Sequence, residues 1–140
     1  MKHSLKILIV DDFPMIRTLL RRSLTGLGFT QLHEACDGVQ SWEMIEKSLQ
    51  EGSPYDLVFM DWNMPLMTGI EVVEKCKAVP ALASMPIIMI SAERDRANVI
   101  RAMKAGANDY ILKPFSASVL SEKIQKLISD YENNAKAANS

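Results

Sequence analysis

Five apolar runs of strand length, each followed by a stretch of helical periodicity, constrain this 140-residue chain more than any other feature. The runs are Lys6–Asp11, Gln31–Cys36, Asp56–Asp61, Pro86–Ser91 and Asp109–Lys113, the second more polar, as an edge strand can be. Between them apolar residues recur at helical spacing. Ile16, Leu19, Leu20, Leu24 and Leu27 form the first stripe, with Pro14 suited to its first turn and Gly26 and Gly28 to its end. Trp42, Ile45 and Leu49 form the second, closed by Gly52-Ser53-Pro54. Further helices are expected over Gly69–Lys77, Asp95–Ala105 and Ser116–Tyr131, with Ala78–Met85 as a loop. Strictly alternating strands and helices predict an α/β fold, a doubly wound parallel sheet with helices on both faces and right-handed crossovers. The length fits one domain over residues 1–131, with 132–140 as a short polar tail.

Charge and composition narrow the functions. Sixteen basic and seventeen acidic residues leave a net charge of −1, so no basic excess points to nucleic acid. No apolar run approaches the roughly 20 residues that span a bilayer, and the N-terminus has no cleavage pattern of a signal peptide. Cys36 and Cys76 read as reduced core thiols of a cytoplasmic protein. The methionines at 15, 44, 60, 89 and 103 read as core filler. His3 and His33 read as surface residues. "GLGF" at 26–29 follows a helix rather than a first strand, which discards a dinucleotide fingerprint.

The ends of the strands carry the chemistry. In open α/β sheets, ligands bind beyond the carboxyl ends of the strands. There the chain places Asp11 and Asp12, Asp61, Ser91 and Lys113. Like charges about 4 Å apart repel by about 4 kcal/mol at an effective dielectric near 20. A shared proton or a cation relieves that repulsion. Three carboxylates with room for water suit Mg²⁺, and Lys113 balances remaining charge. A carboxylate is also a nucleophile toward phosphorus. Asp61, alone on its strand, is the candidate nucleophile, with Asp11 and Asp12 as the metal-side pair.

These strings, "VDDF" at 10–13, "DWNMP" at 61–65, "ISAE" at 90–93, Tyr110 and "LKPF" at 112–115, resemble a response-regulator receiver domain of the chemotaxis type over roughly residues 5–131. The resemblance implies a flavodoxin-like sheet of order 2-1-3-4-5. It implies that Asp61 accepts a phosphoryl group from a CheA-like histidine kinase. Mg²⁺ would be held by Asp12, Asp61 and the backbone carbonyl of Asn63, with Asp11 acting through water. Lys113 would contact the phosphoryl oxygens, and the Lys113–Pro114 bond would be cis. Ser91 stands where better-known members have threonine and keeps the hydroxyl. Phosphorylation would draw Ser91 inward and let Tyr110 turn in from an exposed position, a coupling of about 1–3 kcal/mol. The output face would comprise Arg96, Val99, Met103, Tyr110, Lys123 and Lys126, docking a flagellar-motor switch protein. Asp95 departs from the lysine of close relatives. Asn63 and Glu93 match rapidly decaying members, so self-dephosphorylation is expected on the order of tens of seconds. The whole reads as a monomeric cytoplasmic messenger rather than an enzyme, and a phosphatase is a candidate partner whose presence the sequence leaves open.

Other readings use the same residues. Asp12 before Phe13-Pro14 could cap a helix, and Trp62 and Met64 could be packing residues. Lys123 and Lys126 could form a solvated face. An aspartate-nucleophile phosphatase would carry its two acids two positions apart after the first strand, and here they are adjacent. A flavodoxin-like electron carrier would need a Ser/Thr/Gly-rich loop after that strand. A phosphate sink, or an adaptor receiver without motor binding, shares every site residue.

Overall fold

Alternation with period two decides which face of the sheet each strand residue joins. In β1 (Lys6–Val10), Ile7 and Ile9 enter one apolar cluster while Leu8 and Val10 enter the other. β3 (Leu57–Asp61) and β4 (Ile87–Ser91) are buried at every position, as strands covered on both faces must be. The computed structural model describes residues 4–93 and 96–138, with side chains through 130 and at 133.

The remaining elements are α1 (Pro14–Gly26), β2 (Gln31–Ala35), α2 (Gly38–Gln50), α3 (Gly69–Ala78), α4 (Arg96–Ala105), β5 (Asp109–Leu112) and α5 (Ala117–Ala138). All strand pairings are parallel and the sheet order is β2-β1-β3-β4-β5, as expected. Leu20 and Leu24 of α1 and Leu120, Ile124 and Ile128 of α5 close one face. Ile45 of α2, with Val72, Val73 and Cys76 of α3 and Ala102 of α4, closes the other.

The expected strands match to within a residue at each end. Four other expectations change. α5 runs on to Ala138, past the expected helix end at Tyr131, since this alanine-containing stretch holds neither glycine nor proline to stop a helix. The loop over 78–85 contains a single 3₁₀ turn at Pro80–Leu82, begun by proline. Met60 and Met89 are core, but Met15 and Met103 lie on the outer sides of their helices, exposed at 81% and 43%. Cys76 is a buried free thiol, whereas Cys36, one residue past β2, is exposed. Asp95 and His3 lie outside the described residues, and His33 is exposed on β2. Among the described residues, no helix is long and apolar enough to cross a membrane.

Candidate functional site

Parallel strands end together, so whatever follows each strand gathers on one rim. Beyond β1 the Asp11 amide still donates to the Ala35 carbonyl at 3.2 Å, the Trp62 amide to Ile90 at 3.2 Å, and the Lys113 amide to Ser91 at 2.8 Å. These bonds extend the ladder by one residue and hold the polar side chains in register. Asp11, Asp61 and Ser91 are all buried, an unusual location for the two acids.

The carboxylates converge. One oxygen from each of Asp11, Asp12 and Asp61 lies within 4.8 Å of the others. Lys113 reaches between two of them, its Nζ 2.8 Å from Asp11 Oδ2 and 3.1 Å from Asp61 Oδ1. The second Asp11 oxygen accepts from the Phe13 amide at 2.9 Å. Burial, then the nearby Asp11 charge, push the Asp61 carboxyl up to about 7, and the Lys113 ammonium opposes them. Hydrogen bonds and charge from Asp11 and Asp61 hold the Lys113 ammonium above its ordinary value against the opposing effect of burial. The Lys113–Pro114 bond is cis.

One ammonium does not satisfy three acids. Asp12 Oδ1 is buried and accepts no hydrogen bond from the described residues. A buried acceptor beside two further carboxylates is the environment that a hard divalent cation fits, and Mg²⁺ suits the oxygen donors. A cap role for Asp12 does not hold, because Phe13 precedes α1 and no side chain caps that end.

The loop after β3 is folded tightly against the site. The Gly69 amide donates to the Trp62 carbonyl at 2.9 Å, and a Cβ on Gly69 would collide with the Asp61 carbonyl. Leu66 takes a left-handed φ of 73° in this loop. Thr68 then caps α3 by accepting from the Glu71 amide at 3.3 Å. Sequence reasoning placed Gly69 only as a helix start. Its eight-residue distance from Asp61 was the available signal.

Tyr110 corrects an expectation. Its ring is buried, edge-on to Trp62 at 6.3 Å between centroids, and its hydroxyl donates to the Glu93 carbonyl at 2.9 Å. The inward position satisfies both the apolar ring and the polar tip, so no exposed start is seen. Trp62 is likewise buried, with the Arg101 guanidinium 5.9 Å from its ring. The Ser91 hydroxyl accepts from the Glu93 amide at 3.0 Å. The Glu93 carboxylate receives Asn63 Nδ2 at 3.3 Å and Asn98 Nδ2 at 3.4 Å. Residues after β3 and β4 are thus tied to each other and to α4.

The other expected face residues fall on α4 and α5, which flank β5. Arg96, Met103 and Lys126 are exposed, and Val99 packs against the core cluster. Lys123 pairs with Asp109 at 2.9 Å rather than standing free. With Tyr110, Leu112, Phe115 and Val119 it lines an open recess of about 510 Å³.

Known proteins share this arrangement. The model of the response regulator receiver domain matches residues 7–125. The chain is 44% identical to the chemotaxis protein CheY of Pseudomonas aeruginosa, over 88% of this chain and 95% of that one. It is 41% identical to the chemotaxis protein CheY-3 of Vibrio cholerae, over 91% and 94%. A receiver domain of a sensor histidine kinase from Pseudomonas aeruginosa, with a magnesium ion coordinated in its active site cleft, aligns with a TM-score of 0.77 at 28% identity, covering 90% of this chain and 98% of that one. Matched in sequence and in fold over most of its length, the chain belongs to the response regulator receiver domain family and is CheY-like.

Proposed function

We propose that the protein is a phosphorylation switch of a chemotaxis-type two-component system, with Asp61 as the phosphoacceptor. The observation that carries this reading is the convergence of Asp11, Asp12 and Asp61 around an unsatisfied buried oxygen, with Lys113 bridging two of them.

An Asp61 carboxylate oxygen attacks phosphorus, the phosphorus–nitrogen bond of a kinase phosphohistidine breaks, and the imidazole leaves with that electron pair. Lys113 Nζ moves from pairing carboxylates to pairing phosphoryl oxygens, where charge accumulates. The residues that would hold Mg²⁺ are Asp12, Asp61 and the carbonyl of Asn63, with Asp11 through water. Bound there, the ion would offset the charge of the phosphoryl oxygens. Ser91 then moves to donate its hydroxyl proton to a phosphoryl oxygen, which draws its oxygen away from the Glu93 amide. That loosens the 93 segment, whose carbonyl holds Tyr110. The face of α4, β5 and α5 changes shape as a result. Asn63 and Glu93 border the acyl phosphate and orient the water that later attacks phosphorus and restores Asp61.

The protein turns over no external substrate in this reading, and its activity is phosphotransfer and self-dephosphorylation. A CheA-like kinase supplies the phosphoryl group, and a flagellar-motor switch protein reads the output face in the cytoplasm. The test is binding of motor-switch peptides before and after phosphorylation by acetyl phosphate and Mg²⁺. At least fivefold tighter binding on phosphorylation supports motor control. Phosphorylation with unchanged binding favours a phosphate sink.

A further inference from the structure

β1 leaves the ladder after the Asp11 amide, so the Asp11 carbonyl needs a donor from elsewhere. Arg17, on the first turns of α1, supplies it: Nη1 donates to that carbonyl at 2.6 Å. The same guanidinium donates through Nε to Glu34 Oε1 at 3.1 Å. The other Glu34 oxygen receives Arg21 Nε at 2.6 Å, and Arg21 Nη2 donates to the Leu32 carbonyl at 3.2 Å. Arg17 and Arg21 are four apart on α1, one turn on the same side. Leu32 and Glu34 belong to β2. The Arg17 side chain is only 17% exposed.

The carbonyl that Arg17 grips belongs to the peptide joining Asp11 to Asp12. Rotating that plane would swing both carboxylates relative to Asp61 on the neighbouring strand. Arg17 bonds to the Asp11 backbone carbonyl rather than to either carboxylate, and Glu34, shared with Arg21, offsets part of its positive charge, so its contact fixes the placement of the peptide. Charge-assisted bonds held by a planar fork are suited to that task, and a lysine could hold only part of it.

Resting on the receiver reading of the site, we infer that Arg17 is a positioning residue for the divalent cation, fixing the Asp11–Asp12 peptide against a brace of Glu34 and Arg21. Residues that orient ligands at one remove commonly matter 10–100-fold in metal affinity.

The test is calorimetric titration of metal-free protein with MgCl₂, alongside thermal melting. Arg17→Met should raise the Mg²⁺ Kd by about tenfold or more. Arg17→Lys should fall between that variant and the parent. Glu34→Gln, which loosens the guanidinium without touching the Asp11 carbonyl, should raise Kd less than Arg17→Met. Arg21→Met should leave Kd within about twofold, because Glu34 still holds Arg17. A Kd for Arg17→Met within twofold of the parent overturns the inference, as does an equal rise in Arg21→Met, which would mean general loosening. Should Arg17→Met not fold, unchanged Kd in both Arg17→Lys and Glu34→Gln overturns it. A parent protein that binds no Mg²⁺ refutes the cation-site reading itself, before any substitution is compared.

Discussion

The Tyr110 hydroxyl donates to the Glu93 carbonyl at 2.9 Å, while the amide of that same Glu93 donates to the Ser91 hydroxyl at 3.0 Å. One residue therefore carries both the bond that holds Tyr110 inward and the bond received by the Ser91 hydroxyl, the group proposed to engage a phosphoryl oxygen.

Ser91→Ala is expected to keep accepting a phosphoryl group from acetyl phosphate while weakening the phosphorylation-induced gain in partner affinity. Tyr110→Phe, which loses a hydrogen bond worth about 1 kcal/mol, should also weaken that gain without slowing phosphoryl uptake. Uptake by mass spectrometry and binding by fluorescence anisotropy separate the two effects. A Ser91→Ala protein with the full parental gain contradicts the coupling route.

The raised Asp61 carboxyl predicts a pH dependence of the metal-free protein. Burial and Asp11 lift it to about 7, against an ordinary value near 4. Between those values the folded state binds more protons than the unfolded chain. The stabilisation is fully present below about pH 4 and is lost as pH rises through about 7. Melting temperature in EDTA should therefore fall from pH 5 to pH 8, and Asp61→Asn should flatten part of that fall. Mg²⁺ should raise the melting temperature more at pH 8 than at pH 5, because it competes with the proton. The same pH slope in parent and Asp61→Asn would contradict this.

Lys113→Met removes the ammonium from between Asp11 and Asp61. Phosphoryl uptake at saturating Mg²⁺ should slow by about a hundredfold, the usual effect of losing one donor to a developing charge. Mg²⁺ binding should survive, since the acids remain and their net charge is more negative. Stopped-flow phosphorylation and calorimetry measure the two separately. Parental uptake in the variant would remove Lys113 from the chemistry.

Gly69→Ala places a methyl group against the Asp61 carbonyl. Backbone must shift, so a loss of about 1–3 kcal/mol in chemical denaturation is expected, together with weaker Mg²⁺ binding. A variant with parental stability and affinity would show that the 62–69 loop yields freely.

Much of this was readable in the residues because burial on both faces leaves a strong signature. Ile87–Ile90 and Leu57–Met60 are near-continuous apolar runs, and their ends are marked by the polar residues that form the site. Asp61, Ser91 and Lys113 could be placed on one rim because parallel strands share a direction. What the chain did not disclose depends on side-chain direction and long-range contact. Tyr110 is amphipathic, and only packing against Trp62 and the nearby Glu93 carbonyl decides that it lies inward. Cys36 looked apolar by its neighbours, but it sits just beyond the strand where cover ends. Arg17 lies between the apolar positions of the first helical stripe, a place that assigns it no role. Its role appears only when Glu34, seventeen residues later, is brought beside it.

In the proposed function Asp61 accepts a phosphoryl group with the help of a cation held by the three acids. Intact mass spectrometry after brief incubation with acetyl phosphate tests it most directly, in Mg²⁺ or in EDTA, for the parent and Asp61→Asn. One added phosphoryl group on the parent in Mg²⁺, with none in EDTA and none on Asp61→Asn, is the predicted result. An unmodified parent in Mg²⁺, or equal modification of Asp61→Asn, would contradict it.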